Sequence, residues 1–99
     1  MLIYSVTIAI QVADEENWFQ WMKKTHIPQV MATGMFLYSH MMKTVGAVGG
    51  NPTYVVQYYC DSLELYEKYQ REFAPTLQAE TKRLYGDRFS ASRGLFQLV

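Results

Sequence analysis

The sequence has little of several features that define common classes of protein. It contains one cysteine, Cys60, in 99 residues, so no disulfide can form within the chain and a secreted, disulfide-stapled scaffold is excluded. Nine lysines and arginines balance nine aspartates and glutamates, so the basic excess of a dedicated nucleic-acid or anionic-membrane surface is missing. We therefore expect neither nucleic acid nor membrane as a partner. A net charge near zero favours self-association instead.

Long apolar runs are also missing. None approaches the roughly 18 residues that a membrane span requires. The first twelve residues alternate like a strand and lack the basic and apolar regions of a signal peptide. Hydrophobic residues nevertheless make up 49% of the chain, which is enough for a core. We expect residues 1–99 to form a single cytoplasmic domain.

Segments with the period of a strand and segments with the period of a helix alternate along the sequence. Period-two patterns predict four strands, over Leu2–Val12, Met35–Val45, Thr53–Cys60 and Phe89–Leu98. Helical spacing fills the first and third intervals, with Asp14 as the first N-cap candidate and Asp61 or Ser62 as the second. The order β-α-β-β-α-β is the split βαβ plan of a ferredoxin-like α+β domain with a four-stranded antiparallel sheet.

Proline and glycine mark the predicted breaks and ends of the two helices and the loop of the central hairpin. Pro28 and Pro75 each predict a helix break, because proline removes a backbone donor. The segment after Pro28 is expected to end at Thr33, with Gly34 as a left-handed C-cap, and Gly86 closes the second helix. The loop residues of the hairpin are Gly46, Gly49, Gly50, Asn51 and Pro52. This loop joins two strands, so it lacks the strand-to-helix context of a phosphate-binding loop.

Apolar stripes on both helices should cover one face of the sheet. The first stripe contains Trp18, Trp21, Met22 and then Thr25 or His26. The second contains Leu63, Tyr66, Gln70, Phe73, Leu77, Glu80 or Thr81, and Leu84. The sheet face that they meet should carry Tyr4, Val6, Ile8 and Ile10. Both proline-kinked helices then lie on one side of the sheet, and the other side needs a different cover.

That other side is uncharged but partly polar. It should carry Ile3, Ser5, Thr7, Ala9, Gln11, Val55, Gln57 and Tyr59, joined by either Ser90 and Ser92 or Arg93 and Gln97. On the second strand Phe36, Tyr38, His40 and Met42 share one side, and Gly94 on the last strand suggests a bulge. A simple solvent face would carry lysine and glutamate. We expect two copies to pair through this face as a homodimeric barrel, the alternative being an exposed outer face.

Few residues suggest chemistry, and each has a structural alternative. His26 lies beside Pro28 and could act as a base or hold a ligand, since its ordinary pKa lies near neutrality; alternatively it caps free carbonyls at the kink. The predicted ligand-binding set is Trp21, His26, Tyr38, His40 and Tyr59, with His26 the best catalytic candidate. Packing in the core or an interface explains the aromatic members equally well. Two histidines without a suitably spaced partner are a weak metal signal, so no metal or cofactor is expected.

Three stretches of the sequence carry a family resemblance. LIYSVTI, WFQWMKKTHIPQVMATGMF and TYVVQYYCDSLELYEKYQREFAPTL resemble an uncharacterised bacterial family, domain of unknown function 4286. The resemblance covers nearly the whole chain and is most specific between Trp18 and Phe36. It implies a dimeric α+β barrel built from ferredoxin-like halves. The wider barrel group includes cofactor-free monooxygenases, isomerases, haem-binding enzymes and proteins with no known reaction.

Three functions remain open at this point. The main prediction is a homodimer that binds a small apolar or aromatic ligand between sheet and helices. The first alternative is a cofactor-free enzyme, with His26 as base and Tyr59 or Tyr38 positioning the substrate. The second is an interaction protein without a ligand. A cavity of several hundred Å³ with His26 pointing into it would favour the first two.

Overall fold

An antiparallel sheet with helices packed on one face forms the architecture. The structure is a computed structural model, and it describes residues 1–46 and 50–99. The four strands lie in the order β2-β3-β1-β4, with bounds β1 (Leu2–Ile10), β2 (Tyr38–Lys43), β3 (Thr53–Cys60) and β4 (Phe89–Gln97). The helices are α1 (Glu15–Trp21), α2 (Ile27–Ala32), α3 (Leu63–Glu72) and α4 (Ala74–Tyr85). This order and pairing confirm the predicted ferredoxin-like α+β fold.

The two prolines act differently. The α-helix is interrupted ahead of Pro28, and a short second helix follows, as predicted. The chain nevertheless stays helical between them, because a π-helical turn, Met22–His26, joins α1 to α2, and the Ile27 N–H donates to the Met22 carbonyl five residues back. The wider turn removes the need for the donor that proline lacks and relieves its ring of a tight contact with the preceding turn. Pro75 lies in the first turn of α4, after Phe73 leaves helical geometry at φ −120°, so the predicted second break is confirmed.

The helix caps follow the sequence in all but one place. The Ser62 hydroxyl accepts from the Leu65 N–H at 3.3 Å, and Gly34 ends α2 at φ 77°. Asp14 precedes α1 but makes no capping bond, because its carboxylate instead accepts from Arg88 Nη1 at 2.8 Å. The ion pair with Arg88, a residue distant in sequence, therefore replaces the local capping bond of Asp14. In the β2–β3 loop, Gly46 and Gly50 have positive φ, whereas Gly49 lies outside the described residues.

The core lies between the sheet and the helices. It contains the predicted face of β1, alternate residues of β3, Phe36 and six side chains from the helical segments. These residues are Tyr4, Val6, Ile8, Ile10, Tyr54, Val56, Tyr58, Cys60, Phe36, Trp18, Met22, Val30, Tyr69, Ala74 and Tyr85. Leu63 is 52% exposed, so its predicted place in the α3 stripe is wrong. Tyr69, at 4%, is the buried residue of α3 instead, and the stripe is rotated by part of a turn.

The register of β4 decides which residues share each face. Ser92 opposes Thr7 and Ser90 opposes Ala9, while Arg93 opposes Val6 and so lies on the helix side. The pairing of β1 with β4 runs without interruption, so the predicted bulge at Gly94 is wrong. Glycine stands there because the Phe96 ring covers it, with ring atoms about 3.0 Å from the position of an added Cβ.

Two further corrections concern the strand ends. The alternation of β2 begins only at Tyr38, so Phe36 does not share a face with Tyr38 but lies in the core at 5% exposure. β1 ends at Ile10, and a single 3₁₀ turn over Val12–Asp14 follows. Among the described helices, none has the length and apolar character needed to cross a bilayer.

Candidate functional site

A cleft between the sheet and the helices is the best candidate for a ligand site. His26 from the π-helical turn, Arg93 from β4 and Thr81 from α4 meet there, against a floor that includes Tyr58 and Tyr69. The cavity within the cleft measures about 50 Å³, which is room for a few water molecules. This volume is far below several hundred Å³. A larger ligand must therefore occupy the open mouth or displace side chains.

His26 has no polar partner in its buried position. Within the described residues, its Nδ1 atom is buried and lacks a hydrogen-bond partner. The ring stacks on Trp21, with centroids 4.9 Å apart and planes 28° from parallel. Burial, and secondarily the positive charge of Arg93, lowers the pKa of His26 from 6.5 to about 4. The imidazole is therefore neutral near pH 7 and carries one N–H donor and one acceptor nitrogen.

The π-helical turn determines where His26 points. One extra residue in a helical turn rotates every following side chain by about 100° relative to the preceding face. His26 is the last residue of that turn, so it leaves the helix in a direction that an uninterrupted helix would not give it. Trp21 supports the ring from the preceding turn and also packs against Tyr85 at 5.7 Å. In place of the carbonyl-capping role considered above, the histidine packs against indole.

Arg93 and the buried tyrosines supply the other polar groups. Arg93 is exposed and, among the described residues, forms no ion pair. Burial raises the pKa of both Tyr58 and Tyr69, so their hydroxyls stay protonated and can donate hydrogen bonds. The described residues that line the cleft include no aspartate or glutamate.

The remaining sequence candidates lie on the opposite face of the sheet. Tyr38 stacks on Tyr59 with centroids 4.2 Å apart, and His40 meets Tyr59 edge-on at 5.4 Å. His40 Nε2 is 2.8 Å from Gln57 Oε1. The five predicted residues thus fall into two groups separated by the sheet. Tyr38 and Tyr59 cannot position a substrate held at His26 of the same chain.

The sequence did not single out the partners of His26. Arg93 appeared only as one of two options for the outer face, and Tyr58 was not part of the predicted ligand-binding set. The signal that finds both is the strand register, which places Arg93 opposite Val6 and Tyr58 opposite Tyr4. Periodicity gives each strand two faces but does not say which of them meets the helices.

A second polar cluster ties α1 to the hairpin. Glu15 Oε2 accepts from Tyr54 Oη at 2.6 Å and from Lys43 Nζ at 2.7 Å. The hydrogen bond from Lys43 is the main cause that lowers the pKa of Glu15. Burial, followed by the bond to Glu15, raises the pKa of Tyr54 to about 12. Across the described residues, no group of three or more histidine, cysteine or acidic side chains is placed to hold a metal ion.

The fold and the cleft define a protein of the ferredoxin-like α+β class. The sequence profile described as "Domain of unknown function (DUF4286)" matches residues 1–99. The chain therefore belongs to that family, as its sequence resemblance predicted, and its function is uncharacterised. No curated protein matches the sequence.

Several solved structures share the fold at low identity. An ethyl tert-butyl ether degradation (EthD) family protein from Bacillus halodurans is 14% identical with a TM-score of 0.69, over 99% of this chain and 100% of its own. A variant of SnoaB, a cofactor-independent oxygenase from Streptomyces nogalater, is 10% identical with a TM-score of 0.67, over 98% and 91%. A dimeric ferredoxin-like protein of unknown function from Thermobifida fusca is 16% identical with a TM-score of 0.64, over 99% and 92%. At these identities the likeness establishes the fold alone.

Proposed function

We propose that this protein is a homodimer in which each protomer binds a small apolar or aromatic molecule in the cleft between sheet and helices. The observation that carries the proposal is the buried, unpartnered Nδ1 of His26 in a cleft with a largely apolar floor. A buried polar atom without a partner costs free energy, so an arrangement that keeps one is favoured where a ligand completes it.

The cleft has the composition of a small-molecule site. Met22, Val56 and Phe89 supply apolar surface, and Tyr58 and Tyr69 add hydroxyls. Sites of this kind combine mostly apolar walls with a few polar groups that fix the orientation of the ligand. Trp21 acts as a positioning residue, because it stacks on His26 from outside the cleft.

Pairing of two copies rests on the outer face. On this face Tyr38 is 51% exposed, Met42 44% and Phe96 57%. Ser5 and Thr7 of β1 lie on the same face, with Thr7 directly opposite Ser92 of β4. A face this poor in charge suits a second copy of itself better than water. In this arrangement Tyr38, His40 and Tyr59 belong to the interface. The Thermobifida fusca protein of the same fold is described as dimeric.

The oligomeric state is the first test. Light scattering on the purified chain should give about twice 11.5 kDa. A single species of 11.5 kDa at micromolar concentration would reject the dimer.

We further propose that the protein works in the bacterial cytoplasm, where the buried thiol of Cys60 stays reduced.

Ligand binding is tested with the two histidines. Native mass spectrometry of the dimer should reveal a co-purifying small molecule that is absent from His26→Gln and retained in His40→Gln. The second variant is the matched control because the sheet separates its side chain from the cleft, and light scattering must first show that this variant keeps the dimer, since His40 lies in the proposed interface. Equal retention in both variants would place the ligand elsewhere, and equal loss would make the histidines structural.

A cofactor-free enzyme is the second candidate. It is favoured by the neutral state of His26, since an unprotonated imidazole in a dry site can accept a proton, and by the similarity in fold to the oxygenase SnoaB. Oxygen uptake with a series of hydroxylated aromatic compounds tests it. A pH–rate profile that follows one group, absent in His26→Gln, would select the enzyme over the binding protein.

A further inference from the structure

We infer that the cleft selects organic anions, namely small carboxylates or acidic enols and phenols carried on an apolar or flat aromatic body. This inference rests on the proposed ligand site at His26 and names the class of its ligand. It depends on the chemistry of the groups that line the cleft and on the position of one arginine.

Arg93 is the first observation. Its strand, β4, lies at the edge of the sheet, and its register opposite Val6 places it on the face that packs against the helices. Of the other four positions of β4 on this face, Phe89, Ala91 and Leu95 are apolar and Gln97 is uncharged. Among the described residues, no carboxylate lies within 4 Å of the Arg93 guanidinium. Arg88, which directly precedes β4, is by contrast held by Asp14 at 2.8 Å.

The second observation is that the side chains around this cation are neutral and include several hydrogen-bond donors. The hydroxyls of Tyr58 and Tyr69 are protonated because burial raises their pKa, and they lie with Thr81 and Gln78 along the same cleft. The described lining contains no acidic side chain. A guanidinium surrounded by hydroxyl donors and apolar walls complements an anionic oxygen on a hydrophobic body, since charge-assisted hydrogen bonds to oxyanions are the strongest available there.

The third observation is that the cation lies at the surface and not in the core. Arg93 is exposed at the mouth of a cleft whose enclosed volume is only about 50 Å³. A ligand can therefore place its apolar end towards Met22 and its anionic end towards the mouth, with the arginine closing over it. Cations in this position attract the ligand without being buried themselves.

Matched pairs of compounds test the inference on the intact protein. Calorimetry should compare benzoate with benzamide, hexanoate with hexanamide, and 2-naphthoate with 2-naphthamide, because each pair differs in charge but little in size. In at least one pair we expect the acid to bind about tenfold more tightly than the amide, with a preference that weakens as salt is added. In Arg93→Gln this preference should disappear while the affinity for the amide is kept.

Arg71→Gln is the matched control, since Arg71 is an exposed helix residue that, within the described part of the chain, pairs only with the adjacent Glu72 at 3.5 Å. It should keep the preference for the acid. Equal binding of acid and amide by the wild type, or a preference for the acid that survives in Arg93→Gln, would overturn the inference. Neither result would contradict the proposed ligand site. Failure of all three pairs to bind would instead count against the proposed ligand site, and the inference would fall with it.

Discussion

The two faces of the sheet use similar residues for different purposes. On the helix side, the buried tyrosines of β1 and β3 pack against one another, as with Tyr4 and Tyr58 at 6.0 Å. On the other side, Tyr38 and Tyr59 stack at 4.2 Å, yet Tyr38 remains half exposed. Tyrosine thus serves as filler in a core and as an amphipathic surface residue a few ångströms away. The difference teaches that neighbouring elements, and not residue type, decide its role.

The largest expected effect concerns the outer face. Thr7 is central to it, opposite Val55 on one side and Ser92 on the other. Thr7→Glu should weaken dimerisation at least about 100-fold, because burying an unpaired carboxylate costs on the order of 3 kcal/mol or more. Sedimentation velocity over a range of concentrations measures it. Gln29→Glu, on the exposed surface of α2, adds the same charge and should leave the dimer intact; dissociation in both variants would contradict the assignment of the interface.

Two adjacent valines of β3 compare the faces directly. Val56 is 1% exposed in the core, and Val55 points to the outer face with partial burial. Val56→Ala should lower the free energy of unfolding by roughly 2 to 3 kcal/mol, since it leaves a cavity in a packed core. Val55→Ala should cost less than about 1 kcal/mol and should act mainly through dimer affinity. Urea unfolding at two protein concentrations separates these effects, and equal losses would show that both faces are equally packed.

The buried histidine makes the inner face sensitive to pH. The pKa of His26 falls from 6.5 in the unfolded chain to about 4 in the fold, so between these values the unfolded state binds the extra proton. Stability therefore decreases as the pH is lowered through this window, by on the order of 3 kcal/mol. Arg93, the cation facing the ring from β4, adds to the penalty. His26→Gln should lack this part of the pH dependence in chemical unfolding between about pH 8 and about pH 4; an unchanged difference curve would show that the ring is not buried.

The smallest expected effect lies where α1 meets the hairpin. Glu15→Gln removes the charge that Tyr54 faces at 2.6 Å, so the pKa of Tyr54 should fall below its present value of about 12. It should remain above its ordinary value, because burial is the larger cause. A titration followed by NMR of labelled tyrosine measures the change. Glu80→Gln, whose carboxylate pairs with Arg83 on α4, should leave the pKa of Tyr54 unchanged.

Much of the fold was predictable from local patterns. The bounds of β3, the Ser62 cap and the glycine at the end of α2 follow from side-chain alternation and backbone geometry, which act over a few residues. The π-helical turn was not predictable in this way. Proline signals a broken helix, whereas packing of Trp18 and Met22 on the same core keeps this helix continuous through a widened turn.

The candidate site was predicted less completely. His26 was found because histidine beside proline is unusual in an apolar stripe, but its grouping with Tyr38, His40 and Tyr59 mixed residues from two faces. Its real neighbours, Arg93 and Tyr58, come from strands far away in the chain. Pairing between distant strands depends on register, and a shift of one residue exchanges the faces.

The sequence by itself determined the order of elements, the inward face of β1 and the ends of most helices, because each depends on residues close together in the chain. Only the tertiary structure decided which side of β4 meets the helices, where His26 points and what surrounds it. Those outcomes follow from strand register and helix packing, which join residues that are distant in sequence and leave no local pattern to read.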